Sequence, residues 1–274
     1  MAEPAPRERF TVEGLDVQVF ADKAALGAAA AAFVAGRLRR ALAAHGAARV
    51  IFATGASQYE FLDALRQAPG LDWTRVTAFH LDEYLGLPES HPASFRRYLR
   101  ERLFDRLPFG AVHLLDGAAA DPDAECRRYA ALLAERAIDL ACIGIGENAH
   151  LAFNDPPADF RAPRAVHVVT LDEACRRQQV GEGHFAALAD VPGRALSLSI
   201  PAILAARTIS CVAPDGRKAA AVRCALEGPP SPQCPASALR GHPDCHVYLD
   251  GASAALLGPA TREATRAATG PPAG

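Results

Sequence analysis

Between Gly144 and Asp155 the chain reads GIGENAHLAFND, and within eight residues it offers an amide at Asn148, an imidazole at His150, a second amide at Asn154 and a carboxylate at Asp155. An imidazole with a carboxylate close by is equipment for proton transfer, because the acid can fix the ring's orientation and stabilise its charged form. Gly144 and Gly146 allow the tight turn that would bring these groups together. A second acidic group, Asp82-Glu83-Tyr84, follows the apolar run RVTAFHL. One of its two acids is expected to act as a general base, since a carboxylate at a strand end in a cleft can have its pKa raised. Successive side chains of an extended chain diverge, so the two are not expected to share one role.

Three further places suit an anion. Thr54-Gly55-Ala56-Ser57 lies between the apolar run 49–53 and a helical stretch over 58–67. Strand, small-residue turn, helix is an arrangement that presents backbone N–H groups and the positive end of a helix dipole. The spacing is not that of a Walker loop. Arg176 and Arg177, in LDEACRRQQ, could pair with a phosphate or carboxylate. Lys218 falls in the first turn of an Ala-rich helix, where a cation opposes the dipole and a bound anion would compensate.

The elements that must position these groups alternate in type. The pattern predicts a short strand at Val17 and Val19, a helix from the capping Asp22 to His45 with Gly46 as its stop, and strands at 49–53, 75–81 and 112–115. Helices are expected at 58–67, 92–107 and 121–136, the last opened by Asp121-Pro122. Residues 138–143, with five apolar residues of six, read as a strand buried on both faces. Further strands are expected at 166–170, 195–200, 207–213 and 245–249, with an irregular, mobile flap over 158–165. Strand and helix in strict alternation predict an α/β fold, a doubly wound and mostly parallel twisted sheet with helices on both faces. One domain over residues 16–257 is expected, after a loose lead-in over 1–15 and before a disordered tail over 258–274.

Of 274 residues, 29 are basic and 31 acidic, for a formal net charge of −2. That balance argues against nucleic acid or an anionic membrane as the main partner. The opening MAEPAPRERF lacks the apolar core of a secretory signal, and no run approaches the length of a membrane span, so a cytoplasmic protein is expected. The seven cysteines are scattered without a C-x-x-C pair; free buried thiols are expected, with neither a disulfide framework nor a zinc site.

FHLDEYLGLP (79–88) together with GIGENAHLAFNDP (144–156) resembles the glucosamine-6-phosphate deaminase family. ATGAS (53–57) is similar to that family's P-T-G-G-[ST] turn, and Arg176 and Lys218 fall where it carries a phosphate arginine and a phosphate lysine. The resemblance runs over roughly residues 15–257 and implies a Rossmann-like fold and a cofactor-free, metal-free aldose–ketose isomerisation coupled to loss of ammonia. Glucosamine 6-phosphate and water would give fructose 6-phosphate and ammonia.

Carried over residue by residue, Asp82 would move the proton between C2 and C1 and His150 would open the sugar ring. Asp155 would orient His150, with Asn148 hydrogen bonding beside it. Thr54, Gly55, Ala56, Ser57, Arg176 and Lys218 would hold the phosphate, and Glu83, Tyr84, Gly146 and Asn154 would line the site. The partner implied is a small amino sugar phosphate, and a homo-oligomer is allowed. Three departures from the family pattern carry expectations of their own. Asn148 stands where many members carry an aspartate, and an amide neither supplies charge nor accepts a proton, so its role shrinks to hydrogen bonding. Asp155 replaces a glutamate, shortening its reach by one methylene, while Ala149 and Ala56 replace glycines and would be strained wherever the backbone needs positive φ. Lactone hydrolysis of the 6-phosphogluconolactonase kind is the alternative activity, and a non-catalytic sugar-phosphate sensor the alternative outside enzymes.

Overall fold

The computed structural model describes residues 4–263. Strands β1 (Glu8–Val12) and β2 (Leu15–Phe20) form an antiparallel hairpin. Helix α1 (Lys23–His45) starts where the Asp22 side chain accepts from the Ala25 N–H at 2.9 Å, and stops at Gly46, whose φ of 78° only glycine adopts cheaply. Then follow β3 (Ala48–Phe52), α2 (Tyr59–Arg66), β4 (Val76–His80), β5 (Asp82–Tyr84), α3 (Phe95–Arg102), β6 (Ala111–His113), α4 (Pro122–Ala134) and β7 (Leu140–Gly144). The remainder comprises β8 (Val166–Thr170), α5 (Glu173–Gly181), β9 (Arg194–Leu198), α6 (Ile200–Leu204), β10 (Thr208–Ala213), α7 (Ala219–Leu226), β11 (Cys245–Asp250) and α8 (Pro259–Glu263).

Eight strands make one sheet in the order β1-β2-β11-β10-β7-β3-β4-β6, parallel throughout except for the β1–β2 hairpin at its edge. Alternate residues of its central strands feed two separate cores. Ile51 of β3 and Ala141 and Ile143 of β7 face one core, shared with Tyr129 of α4 and Val222 of α7. Val50, Phe52, Leu140 and Cys142 face the other, closed by Leu38 of α1, Leu62 of α2 and Leu99 of α3. Strands covered on both faces need apolar residues at every position, which explains the unbroken apolar runs.

From β3 the chain builds outward through β4 to β6, and from β7 it builds the other way through β10 to β11. The order therefore reverses between the adjacent strands β3 and β7, and their carboxyl ends open a crevice there.

The structure departs from the sequence expectations in several places. Part of the expected loose lead-in is β1, held by its pairing with β2. Five residues of the expected tail form α8, where Arg262 pairs with Glu8; residues 264–274 lie outside the described residues. The strands at 166–170 and 195–200 leave the main sheet and form, with β5, an antiparallel sheet in the order β5-β9-β8. The apolar pattern that marks a strand does not say which sheet it joins. The 158–165 segment, expected as a mobile flap, is irregular and is held at two points, by Ala158 N–H to the Pro232 carbonyl and by an Arg164–Asp123 ion pair.

Cys224 and Cys234 are joined as a disulfide, against the expectation of free thiols, while the other five cysteines are free and buried. After α7 the chain turns at Gly228 and folds back, a reversal that a ten-residue spacing does not reveal. Among the described residues no helix is long and apolar enough to cross a membrane.

Candidate active site

The crevice at the reversal is a cleft open to solvent. Its walls come from the ends of four strands: the Thr54–Gln58 turn after β3, Asp82 beyond β4, the Gly144–Gly146 turn and His150 after β7, and Lys218 after β10. A fifth wall is the last turn of α5, with Gln178, Gln179 and Glu182.

His150 and Asp155 form a pair, with imidazole Nδ1 3.0 Å from Asp155 Oδ1. The shorter acid thus reaches the ring despite the missing methylene. Asn148 braces the pair, its Nδ2 donating to Asp155 Oδ1 at 3.0 Å and to Asp172 Oδ2 at 3.3 Å, while its Oδ1 accepts from the His150 N–H. The second Asp155 oxygen accepts from the Asp172 N–H. Burial pushes the Asp155 carboxyl up, but the hydrogen bonds from His150 and Asn148 outweigh it and hold the group below the usual carboxylate range. Asp155 is therefore a carboxylate at neutral pH, able to steady a positive imidazole.

Of the two alanines that replace family glycines, Ala149 has a φ of 68°, the left-handed conformation that costs an L residue about 1 kcal/mol or more. Ala56 is not among the positive-φ residues; in that turn the conformation falls on Gly55, with φ 99°.

Gly146 is required by close approach. A Cβ there would lie 2.2 Å from His150 Nε2 and 2.3 Å from Cδ2, so the imidazole stacks directly on the backbone. Gly146→Ala should displace the ring and lower kcat/KM by about 10²-fold, the usual consequence of misplacing a catalytic group by an ångström. Steady-state kinetics, with circular dichroism as a check on folding, would test this.

Asp82 is 6% exposed, and its Oδ1 has no hydrogen-bond partner. Burial, with the neighbouring Glu83 charge adding to it, drives its pKa well above the ordinary carboxylate value. An unpartnered carboxyl facing a cleft is unusual in a folded protein and is free to exchange a proton with something bound there.

Glu83 and Tyr84 do not line the cleft. Glu83 is fully buried and turns the other way, accepting from Ser94 Oγ, the Phe95 and Arg96 N–H groups and Arg96 Nε. It caps the first turn of α3 instead of facing a ligand. Tyr84 packs among Phe95, Phe153 and Phe185. Asn154 is also structural. Its amide donates to the Leu151 and Leu198 carbonyls and its Oδ1 meets His167 Nε2, which ties the turn to β9.

The anion cradle is only partly as the sequence suggested. Thr54, Gly55, Ala56 and Ser57 all line the cleft, and Lys218 is buried beside them. Arg176 is not there: its Nη2 donates to the carbonyls of Leu188 and Val191 and fastens the loop after α5. The face of α5 toward the cleft instead carries Gln178, Gln179 and Glu182. Residues 176 and 178 are separated by about 200° around a helix, so both cannot face one cleft. The signal that would have found the second face is the i,i+4 spacing of Gln178 and Glu182, whose side chains bond at 2.7 Å.

The ligand atoms of His150, Asp155 and Cys175 lie within 4.8 Å of one another. Burial pushes the Cys175 thiol up, so it stays protonated, and Asp155 Oδ1 already serves His150 and Asn148. The cluster is accounted for as a hydrogen-bonding group behind the imidazole.

A doubly wound sheet with a basic carboxylate, an imidazole–carboxylate pair and a buried lysine converging at its switch point has the build of an enzyme for a small anionic substrate. Residues 21–247 match the model of the glucosamine-6-phosphate isomerases/6-phosphogluconolactonase family, and the chain belongs to that family. A glucosamine-6-phosphate deaminase from Exiguobacterium sp. (strain ATCC BAA-1283 / AT1b) is 41% identical over 202 residues, 74% of this chain and 78% of the relative. One from Bacillus cereus (strain B4264) is 37% identical over 214 residues, 78% of this chain and 80% of its own. Among solved structures, a monomeric glucosamine-6-phosphate deaminase superposes with a TM-score of 0.82 at 32% identity, covering 88% of this chain and 99% of that one. The 6-phosphogluconolactonase of Trypanosoma brucei, with a TM-score of 0.74 at 18% identity over 90% of this chain and 100% of its own, shares the fold.

Proposed function

We propose that the chain is a glucosamine-6-phosphate deaminase, converting glucosamine 6-phosphate and water to fructose 6-phosphate and ammonia. The observation that carries this reading is the unpartnered, buried Asp82 carboxyl in the same cleft as the His150–Asp155 pair. The three deaminases named above, all matched over most of their length, support the choice of substrate.

In this reading His150, steadied by Asp155, passes a proton to the ring oxygen and opens the sugar. Asp82 then removes the proton from C2, giving an enolamine, and returns it to C1. The imine left at C2 is hydrolysed, so that water supplies the ketone oxygen and nitrogen leaves as ammonia. A single carboxylate can serve both carbons because they are neighbours. Lys218 and the Thr54–Ser57 turn hold the phosphate, whose binding fixes the reacting end against Asp82. The Gln179 amide oxygen, buried and without a partner, would accept from a sugar hydroxyl.

The test is to incubate the protein with glucosamine 6-phosphate and a panel of related amino sugar phosphates, measuring ammonia and ketose phosphate. Equal amounts of both from glucosamine 6-phosphate are expected. Ammonia from none of them, with hydrolysis of a sugar-phosphate lactone instead, would overturn the reading.

A further inference from the structure

The predicted anion cradle contains an anion belonging to the chain itself. Glu182, at the end of α5, has a side chain only 6% exposed, with its Oε1 3.9 Å from Lys218 Nζ. Its other oxygen, Oε2, faces Gly55, where a Cβ would come within 3.9 Å of it. The carboxylate thus stands between the lysine and the turn that are assigned to the substrate phosphate.

Its position is reinforced from two sides. Gln178 donates from Nε2 to Glu182 Oε1 at 2.7 Å and accepts at Oε1 from the Glu147 N–H at 2.9 Å, linking Glu182 to the loop that carries His150. His184 Nε2 lies 3.4 Å from Glu182 Oε2. Burial would push the Glu182 carboxyl up, but His184 and Lys218 outweigh it and keep the group ionised. Lys218 is conversely lowered by burial and held up by Glu182, so each group stabilises the other's charge.

Resting on the assignment of this cradle to phosphate, we propose that Glu182 is a specificity-determining residue: its carboxylate competes with the substrate's anionic group for Lys218 and the Gly55 turn. Two anions cannot share one lysine at this depth without strong repulsion. A phosphate dianion with three terminal oxygens can bond the lysine and the turn together, and so outcompetes one carboxylate. An unphosphorylated amino sugar cannot, and leaves Glu182 in place.

The experiment compares full-length wild type, Glu182→Gln, Glu182→Asp and Lys218→Ala for inorganic phosphate binding by calorimetry and for KM and kcat with glucosamine 6-phosphate. Glu182→Gln should bind inorganic phosphate about tenfold tighter, as expected when a charged competitor worth a little over 1 kcal/mol is removed. Glu182→Asp, with its charge drawn back by one methylene, should gain less in the same direction, and it carries the comparison should Glu182→Gln not fold. Lys218→Ala should bind phosphate more weakly. Unchanged or weaker phosphate binding in both Glu182 variants, with Lys218→Ala still impaired, would overturn the role of Glu182 alone. Phosphate binding untouched by Lys218→Ala would instead overturn the cradle assignment beneath it.

Discussion

Asp82→Asn is expected to lower kcat by roughly 10²- to 10⁴-fold, the range a positioned general base contributes, with inorganic phosphate binding little changed. The amide keeps the size of the side chain but cannot take a proton from carbon. The pH profile gives a second readout. A base works only when ionised, and burial together with the Glu83 charge raises the Asp82 pKa well above the ordinary value. Activity of the wild type should therefore fall as pH drops through a limb lying above the normal carboxylate range, and that limb should vanish in the variant's residual rate. Loss of phosphate binding in parallel with turnover would make Asp82 a structural residue and sink its assignment as the base.

How much of this was legible in the sequence depends on the kind of information each feature needs. The α1 boundaries, set by Asp22 and Gly46, and the parallel core strands follow from local patterns, because capping and burial on both faces each leave a signature within a few residues. The His150–Asp155 pair was also legible, since both partners lie on one tight turn. Features that depend on direction or on distant pairing were hidden. Arg176 carries the right charge in the right stretch, yet the helical phase of α5 turns it to the Leu188 and Val191 carbonyls and brings Glu182 to the cleft. Asn154 lies in the same polar run as His150 and Asp155, but its donors are spent on β9 and Leu151. The membership of β8 and β9 in a second sheet, and the chain reversal that brings Cys224 to Cys234, depend on how segments fold onto one another, which residue type does not encode.

Glu83 gives the second large effect, and it is an effect on stability. Glu83→Ala is expected to cost about 3–5 kcal/mol, the usual result of removing one member of a buried charged network. The partner left behind is Arg96, itself 6% exposed, which would keep only Asp116 at 2.7 Å and the Leu87 carbonyl at 3.0 Å. The first-turn N–H groups of Phe95 and Arg96 and the Ser94 hydroxyl would lose their shared acceptor at the same time. For a chain of this size the loss corresponds to a fall in Tm of about 10 °C, measurable by calorimetric or circular-dichroism melting. Glu83→Gln should cost less, because one acceptor oxygen survives, but its NH₂ group then faces donors. The same variant links stability to chemistry: with the Glu83 charge gone, the Asp82 proton is held less tightly, so the acidic limb of the rate profile should move to lower pH. A limb that stays in place while the protein melts earlier would mean that burial alone sets the Asp82 pKa, and that adjacent acids on one short strand divide their work completely, Asp82 serving the cleft and Glu83 serving α3.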